Sequence, residues 1–351
     1  MAKKPFDRVA RLPVSRRGFM SAALKFSAAF SISGLININE LFASKLNHLK
    51  FHSDVYVWFQ GGRVKKLTAG DGIYYQSCIN PEGTYVVFTG NSSDVSRIWR
   101  ADVITGEIVG LTSPEHGARH PAFSWENDSI VFASDRASGQ APEQIEDLDS
   151  SGLPPEGLTV NIFVMGRDGK DVRQITSGPY QDQRPCFSPD GKTIAFISNR
   201  SGPPFTLWAV AVDGNNQPRP LTEAVAMDGS RQGALSEQGL VYRPWYAVDG
   251  KKIFVFADVN GRHRICSIPA EGGKITPLTN DDVGMSHGPF SDPNGKSLLM
   301  HSNRDGTFGI WELPLDGDTP RRLNPPGIKM PSHATRAGNG TIAFDVVKFK
   351  D

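Results

Sequence analysis

The chain has 351 residues, with 38 basic and 37 acidic side chains and a formal charge of +1. This balance leaves no excess of positive charge for a nucleic-acid partner. Apolar residues make up 38% of the chain, enough for a large core, and 36 glycines indicate many turns. The three cysteines lie in predicted strands, where we expect them to be buried and unpaired. We therefore expect a globular protein that binds no nucleic acid.

A pair of arginines stands out near the start of the chain. The segment Ser15-Arg16-Arg17-Gly18-Phe19-Met20 follows several basic residues and opens an apolar stretch over 18–38. It resembles the twin-arginine export motif. Lys25 interrupts the apolar stretch and argues against a strong membrane anchor. We expect residues 1–44 to be an export signal, a periplasmic location for the rest, and no transmembrane span beyond the leader.

A repeated phrase organises the remaining sequence. Its clearest copy is Phe187-Ser188-Pro189-Asp190-Gly191-Lys192, followed by an apolar strand. Neighbouring copies are about 44 or about 60 residues apart, a period typical of β-propeller blades. Weaker copies are centred on Pro81-Glu82-Gly83, Trp125-Glu126-Asn127, Val248-Asp249-Gly250, Pro293-Asn294-Gly295 and Gly338-Asn339-Gly340.

Each copy predicts two hairpins. The Asp-Gly, Glu-Gly and Asn-Gly pairs favour tight turns, and the flanking runs are rich in β-branched and aromatic residues. Before the first copy stands a lone outer hairpin, Val55–Trp58 with Val64–Thr68, and the last copy ends after its inner strands. We predict an all-β fold over residues 45–351, a six-bladed β-propeller of four-stranded blades. Its ring would be closed by pairing of the N- and C-terminal half-blades.

The repeat resembles a known family. The phrase at 187–192, then Ser198-Asn199-Arg200, then Leu207-Trp208 and Leu221-Thr222 are similar to the WD40-like PD40 repeats of the TolB family. The resemblance covers residues 53–351. It implies a propeller that binds a protein partner or another cell-envelope ligand at one face, and we expect a monomer.

One column of the repeat carries most of the chemistry. It lies four residues before the serine of Ser-Pro-Asp-Gly, and in a propeller it would form a ring around the axial channel. Three of the eight histidines of the chain occupy it. The residues in this column are Gln76, His120, Arg184, Arg243, His287 and His333, where His287 requires a gap of one residue.

The ring suggests two kinds of binding. The amide of Gln76 and the imidazoles of His120, His287 and His333 could hold a divalent metal, Mn or Zn. Arg184 and Arg243 could bind carboxylates in fork geometry, with Tyr75 and Tyr242 beside them at the mouth. The pattern is similar to the metal site of oligogalacturonate lyases, which uses three histidines and a glutamine. That resemblance implies metal-dependent β-elimination on acidic sugars.

Three interpretations of the ring stay open at this point. The residues could only line a wet channel, bind an anionic ligand or peptide, or hold a catalytic metal. The preferred hypothesis is an exported TolB-like propeller that binds a protein partner or an anionic cell-envelope ligand. The alternative is a lyase that acts on an anionic oligosaccharide, and no catalytic residue is assigned for it.

Overall fold

The computed structural model describes residues 51–349 except 71, 92–94, 140–156, 203–204, 214–216, 223–242, 259–262, 280–285 and 318. Positions 51, 258, 263, 286, 287 and 349 are described as backbone alone. The predicted export signal lies outside these residues. All regular structure within them is β-strand. No helix in the described part of the chain is long and apolar enough to cross a bilayer.

The first six strands belong to one sheet. They are β1 (Phe51–Trp58), β2 (Val64–Lys66), β3 (Ile73–Ile79), β4 (Tyr85–Asn91), β5 (Arg97–Asp102) and β6 (Ile108–Gly110). The next two sheets have four antiparallel strands each. They contain β7 (Ala118–Phe123), β8 (Ser129–Ser134), β9 (Asn161–Gly166), β10 (Arg173–Gln174), then β11 (Asp182–Phe187), β12 (Thr193–Ser198), β13 (Thr206–Ala211) and β14 (Arg219–Pro220).

Two more four-stranded sheets follow, and the chain then returns to the first sheet. The strands are β15 (Trp245–Tyr246), β16 (Lys252–Asp258), β17 (His263–Pro269), β18 (Thr276–Pro277), then β19 (Ser286–Ser291), β20 (Ser297–Ser302), β21 (Gly309–Pro314) and β22 (Arg321–Leu323). The last two, β23 (Pro331–Arg336) and β24 (Ile342–Phe349), join β1–β6 in a sheet of eight strands.

The sheet inventory corrects the prediction of six separate blades. Four four-stranded sheets stand as separate blades, and eight strands share one sheet in the order β23-β24-β1-β3-β4-β5-β6, with β2 beside β1. The merger depends on a single parallel pair, Ser53 with Ile73. The all-β, propeller-like arrangement agrees with the prediction.

Strands from the two ends of the described chain pair with each other. β1 and β24 are antiparallel from Phe51 opposite Phe349 to Trp58 opposite Ile342. The buried carboxylate of Asp54 reinforces this contact, because it binds Lys66 of β2 at 2.8 Å and Lys348 of β24 at 3.2 Å. Residues from the two ends of the sequence therefore share one sheet.

The repeated phrase forms the turns that precede β4, β8, β12, β16, β20 and β24. At Gly191 the backbone adopts φ +67°, and its N–H donates to the carbonyl of Ser188 at 3.0 Å. The same position in the second copy is Asn127, with φ 61°. Asparagine is one of the few other residues that tolerate this left-handed conformation. The turn geometry thus explains why these residues recur.

The strand that follows each copy of the repeated phrase lies in the core. Phe88, Phe132, Phe196 and Phe344 occupy matching positions there and are fully buried. Burial of each such ring contributes about 1.5–3 kcal/mol. The three cysteines are buried and free, in agreement with the sequence analysis.

Basic side chains join neighbouring sheets at their outer strands. Arg100 of β5 donates to the carbonyl oxygen of Arg167 at 2.8 Å, and Arg219 of β14 donates to that of Glu271 at 3.0 Å. These bonds link consecutive sheets at the periphery, whereas the first strands meet at the centre.

Candidate functional site

Four strands are kinked at the predicted ring position, each of them just before a copy of the repeated phrase. Gln76, His120, Arg184 and His333 all adopt left-handed backbone conformations, with φ 56°, 57°, 53° and 47°. In each strand the pairing register shifts at this point, for example between Tyr75 and Cys78. The conformation costs about 1–2 kcal/mol for a non-glycine residue. Strain repeated at equivalent places is typical of a functional constraint.

The fifth copy of the ring departs from the sequence alignment. The residue with the left-handed backbone in β19 is Gly288 (φ +57°), inside the register shift between His287 and Phe290. Gly288 therefore takes the ring position in this strand, and His287 precedes it by one residue. The dipeptide Gly288-Pro289 was the missed signal, because His120, Arg184 and Arg243 are also followed by proline.

Four of the predicted residues meet at one cavity. Gln76 of β3, Arg184 of β11, Arg243 just before β15 and His333 of β23 all line it, although they come from different strands. Gly288 of β19 completes this lining at the fifth strand. The space in it that is open to water is about 40 Å³. We call this space the axial cavity.

The other predicted residues do not line the axial cavity. His120 is only 1% exposed and lies behind the lining. Tyr75 is half-buried on the strand beside Gln76 and is not among the lining residues either. Tyr242 and the side chain of His287 fall outside the described residues. The Trp245 and Phe290 rings, 4.4 Å apart, form an apolar part of the wall.

Positive charge dominates the surroundings of His120. Burial lowers the pKa of His120 well below its usual value, and the guanidiniums of Arg184, Arg119 and Arg243 lower it further. The nearby Gln183 amide works in the opposite direction. His120 is therefore a neutral imidazole at physiological pH.

The guanidinium of Arg243 is buried, and little negative charge nearby offsets its positive charge. Burial lowers the pKa of Arg243, and the opposing effects come from Cys78, Cys186 and Asp345. Burial also raises the pKa of Cys186 to about 12, so this thiol stays neutral. Among these three groups, Asp345 alone carries a full negative charge near neutral pH.

Sequence analysis missed Asp345, an acid at the edge of the axial cavity. Its carboxylate accepts the backbone N–H groups of Gln76 at 2.6 Å and Ser77 at 3.3 Å, and it lies 3.3 Å from Nδ1 of His333. Asp345 is 1% exposed. A lone acid within the apolar run Ile342-Ala343-Phe344-Asp345-Val346 was the available signal. Asp345 thus connects two members of the ring.

Two polar atoms of the lining residues are buried and make no hydrogen bond with any described residue. They are Oε1 of Gln76 and one terminal nitrogen of Arg243. Each such atom costs about 1–3 kcal/mol if it stays unsatisfied. Such atoms are a common sign of a site for water or an ion.

Only two of the four predicted metal ligands are seen at this site among the described side chains. In the described part of the chain, no group of three His, Cys, Asp or Glu side chains is placed to hold a metal ion. Of the predicted ligands, Gln76 and His333 line the cavity, whereas His120 is surrounded by three guanidiniums. Those cations would repel a metal ion. The charge around the cavity favours an anion instead.

Known structures share this fold. A solved protein assigned as TolB from Agrobacterium tumefaciens superposes with a TM-score of 0.59, covering 86% of this chain and 99% of that one at 14% identity. The chain folds as a TolB-like β-propeller. Oligogalacturonate lyase from Vibrio parahaemolyticus superposes with a TM-score of 0.50, covering 83% of this chain and 77% of that one at 12% identity. At these identities the likeness to TolB and to the lyase concerns the fold.

Curated relatives match part of their own length. The Tol-Pal system protein TolB of Francisella tularensis is 24% identical over 241 residues, which are 68% of this chain and 47% of that protein. The uncharacterized peptidase YuxL of Bacillus subtilis is 27% identical over 253 residues, 68% of this chain and 32% of that protein. The chain therefore spans about a third to a half of these TolB-like and peptidase relatives. No family model matches it.

Proposed function

We propose that this propeller binds an anionic group, free or on a cell-envelope partner, in the axial cavity. The observation that carries the proposal is the convergence of Arg184, Arg243, Gln76 and His333 on one small cavity. Charge-assisted hydrogen bonds from guanidiniums to an anion contribute about 1.5–3 kcal/mol each. An anion would also offset the buried charge of Arg243, which is otherwise costly.

The fold and location belong to the same proposal. We take the eight-stranded sheet as two blades, β23-β24-β1-β2 and β3–β6, because β1 and β3 share only one paired position whereas β1 and β24 share eight. This gives six blades and a ring closed through β1 and β24. A crystal structure with a different number of blades around the axis would contradict it. The twin-arginine pattern at Arg16-Arg17 and the Tol-Pal relative support export to the periplasm.

The proposal keeps the monomer that we expect from the sequence. The alternative function, metal-dependent elimination on an anionic oligosaccharide, is disfavoured by the guanidiniums around His120.

Calorimetric titration with chloride, formate and sulfate tests the proposal. We expect at least one of these anions to bind the purified protein, and the Arg243→Gln variant to bind it at least about tenfold more weakly. Arg219→Gln is the matched control, since Arg219 is 48% exposed and pairs with Glu271 at the surface. Binding of none of the three, or equal binding by Arg243→Gln, would overturn the proposal.

A further inference from the structure

Three junctions between neighbouring sheets are closed at the periphery by an arginine. Arg100, Arg173 and Arg219 each donate to a backbone carbonyl oxygen of the next sheet. Turns of the next sheet also pack closely at two of these junctions. A Cβ placed on Gly169 or Gly272 would lie 3.0 Å from the carbonyl oxygen of a leucine at the end of the preceding sheet. These junctions therefore leave little space between the sheets.

The junction between the sheet β19–β22 and the eight-stranded sheet is different. Arg321 is the first residue of β22, as Arg219 is of β14, but it binds Glu312 of its own sheet. In the facing turn, no described atom beyond the chain neighbours lies within 4 Å of a Cβ placed on Gly61 or Gly62. The space between the sheets is an open cleft of about 510 Å³. We call it the junction cleft.

The lining of the junction cleft combines apolar side chains with uncharged polar ones. Trp58, Phe59 and Leu323 are half-buried and supply apolar surface. Gln60 and Asn294 are exposed and supply amide groups. Concave sites with apolar walls and a few polar groups are typical of small-molecule binding, at volumes of about 300–1,000 Å³. A purely apolar ligand would leave the amides without partners.

The charged groups in the lining are already paired. Asp292 and Arg336 bind each other, and Arg336 also binds Glu312 at 2.7 Å. The guanidinium of Arg63 stacks 4.1 Å from the centre of the Phe59 ring and does not line the cleft. Among the described lining residues, no unpaired charge is left for an ionic ligand. The lining therefore favours an uncharged ligand.

Most of the lining comes from turns, whose backbone groups are bonded within the turns. The N–H of Phe59 donates to the carbonyl of Arg63 at 2.9 Å, and that of Gly340 to the carbonyl of Ala337 at 2.9 Å. A peptide that binds as an extended strand needs a free strand edge. A sugar ring needs none, because its C–H face packs on an aromatic ring and its hydroxyls bond to side-chain amides.

We infer that the junction cleft binds an uncharged sugar ring, with its C–H face on the indole of Trp58 and its hydroxyls bonded to the amides of Gln60 and Asn294. This site lies apart from the axial cavity, and the two share no described lining residue. The inference therefore does not depend on whether the axial cavity binds an anion.

Saturation-transfer NMR with glucose, N-acetylglucosamine and cellobiose tests the inference. We expect at least one of these neutral sugars to bind the full chain, and Trp58→Leu and Gln60→Ala each to weaken it at least about tenfold. Gln60 is exposed, so Gln60→Ala gives a folded variant if the unfolding midpoint shows that Trp58→Leu is not folded. Glu271→Ala is the matched control, because Glu271 is an exposed residue of the corresponding turn at a closed junction.

Four results would overturn the sugar assignment. They are binding of none of the three sugars, equal binding by Gln60→Ala, an equal loss in Glu271→Ala, and tighter binding of glucuronate than of glucose. A neutral apolar tripeptide separates the other class of ligand. If the tripeptide binds in the cleft and the sugars do not, the site takes peptides and the inference is wrong. None of these results changes the prediction for anions in the axial cavity.

Discussion

The carboxylate of Asp345 accepts the backbone N–H of Gln76 at 2.6 Å, although 269 positions separate the two residues in sequence. The bond connects β24, the last strand described, with the kinked strand β3. It stabilises the left-handed backbone of Gln76 and places a negative charge beside Arg243. Asp345 therefore acts on both the conformation and the charge of the axial cavity.

Replacement of Asp345 by asparagine should separate these two effects. The amide keeps the shape but has a single acceptor oxygen for the N–H groups of Gln76 and Ser77, which bind different carboxylate oxygens. One N–H group loses its partner, so we expect a loss of about 1–3 kcal/mol in the free energy of unfolding. Removal of the negative charge should at the same time tighten formate binding several-fold. Urea unfolding and calorimetry measure the two quantities. Glu115→Gln, at an exposed position, is the control. Weaker formate binding by Asp345→Asn would contradict the charge argument.

An ion-pair network between two sheets gives a second prediction. Arg336 of β23 binds Asp292 and Glu312 of the neighbouring sheet, the latter at 2.7 Å, and both carboxylates are buried. Arg336→Met leaves them without this partner, so we expect a loss of about 3 kcal/mol in the free energy of unfolding. Arg322→Met is the matched control, because Arg322 pairs with Asp305, which is 41% exposed. That variant should lose under about 1 kcal/mol. Equal losses in urea unfolding would show that burial of the pair is unimportant.

Neutral histidines should make the fold sensitive to acid. Burial, together with the nearby His333, lowers the pKa of His301 to about 3, whereas an unfolded histidine has a pKa near 6.5. Between these values the unfolded chain binds a proton that the folded chain does not, so stability falls as the pH falls below about 6.5. The slope for one such histidine is at most about 1.4 kcal/mol per pH unit.

His120 should contribute in the same direction, because burial and three arginines lower its pKa. Urea unfolding from pH 7.5 to 5.0 measures the combined slope. We expect His301→Gln and His120→Asn each to flatten it, even if either variant is less stable at pH 7.5. A slope that is identical in the two variants and the parent protein would rule out these histidines as its source.

The sequence was sufficient to predict features that depend on local geometry. Gly191 and its equivalents mark turns that need a left-handed backbone, whereas the left-handed backbone at Gln76, His120 and Arg184 was not predicted. Features that depend on contacts between distant strands were missed. The lone acid Asp345 stands out in its apolar run, but its partner is not evident until β24 is placed beside β3. Gly288 has no side chain, and only the proline after it marks the ring position. The single pair Ser53–Ile73, which merges two predicted blades into one sheet, has no sequence signal either.

Crystals of the protein soaked in bromide would test the anion site most directly. Anomalous scattering locates each bound bromide independently of the refined protein atoms. We predict a strong peak inside the axial cavity, in contact with the guanidinium of Arg243 or Arg184, and its loss in Arg243→Gln crystals but not in Arg219→Gln crystals. Peaks restricted to the protein surface, with none in the cavity, would contradict the assignment of this ring as an anion site.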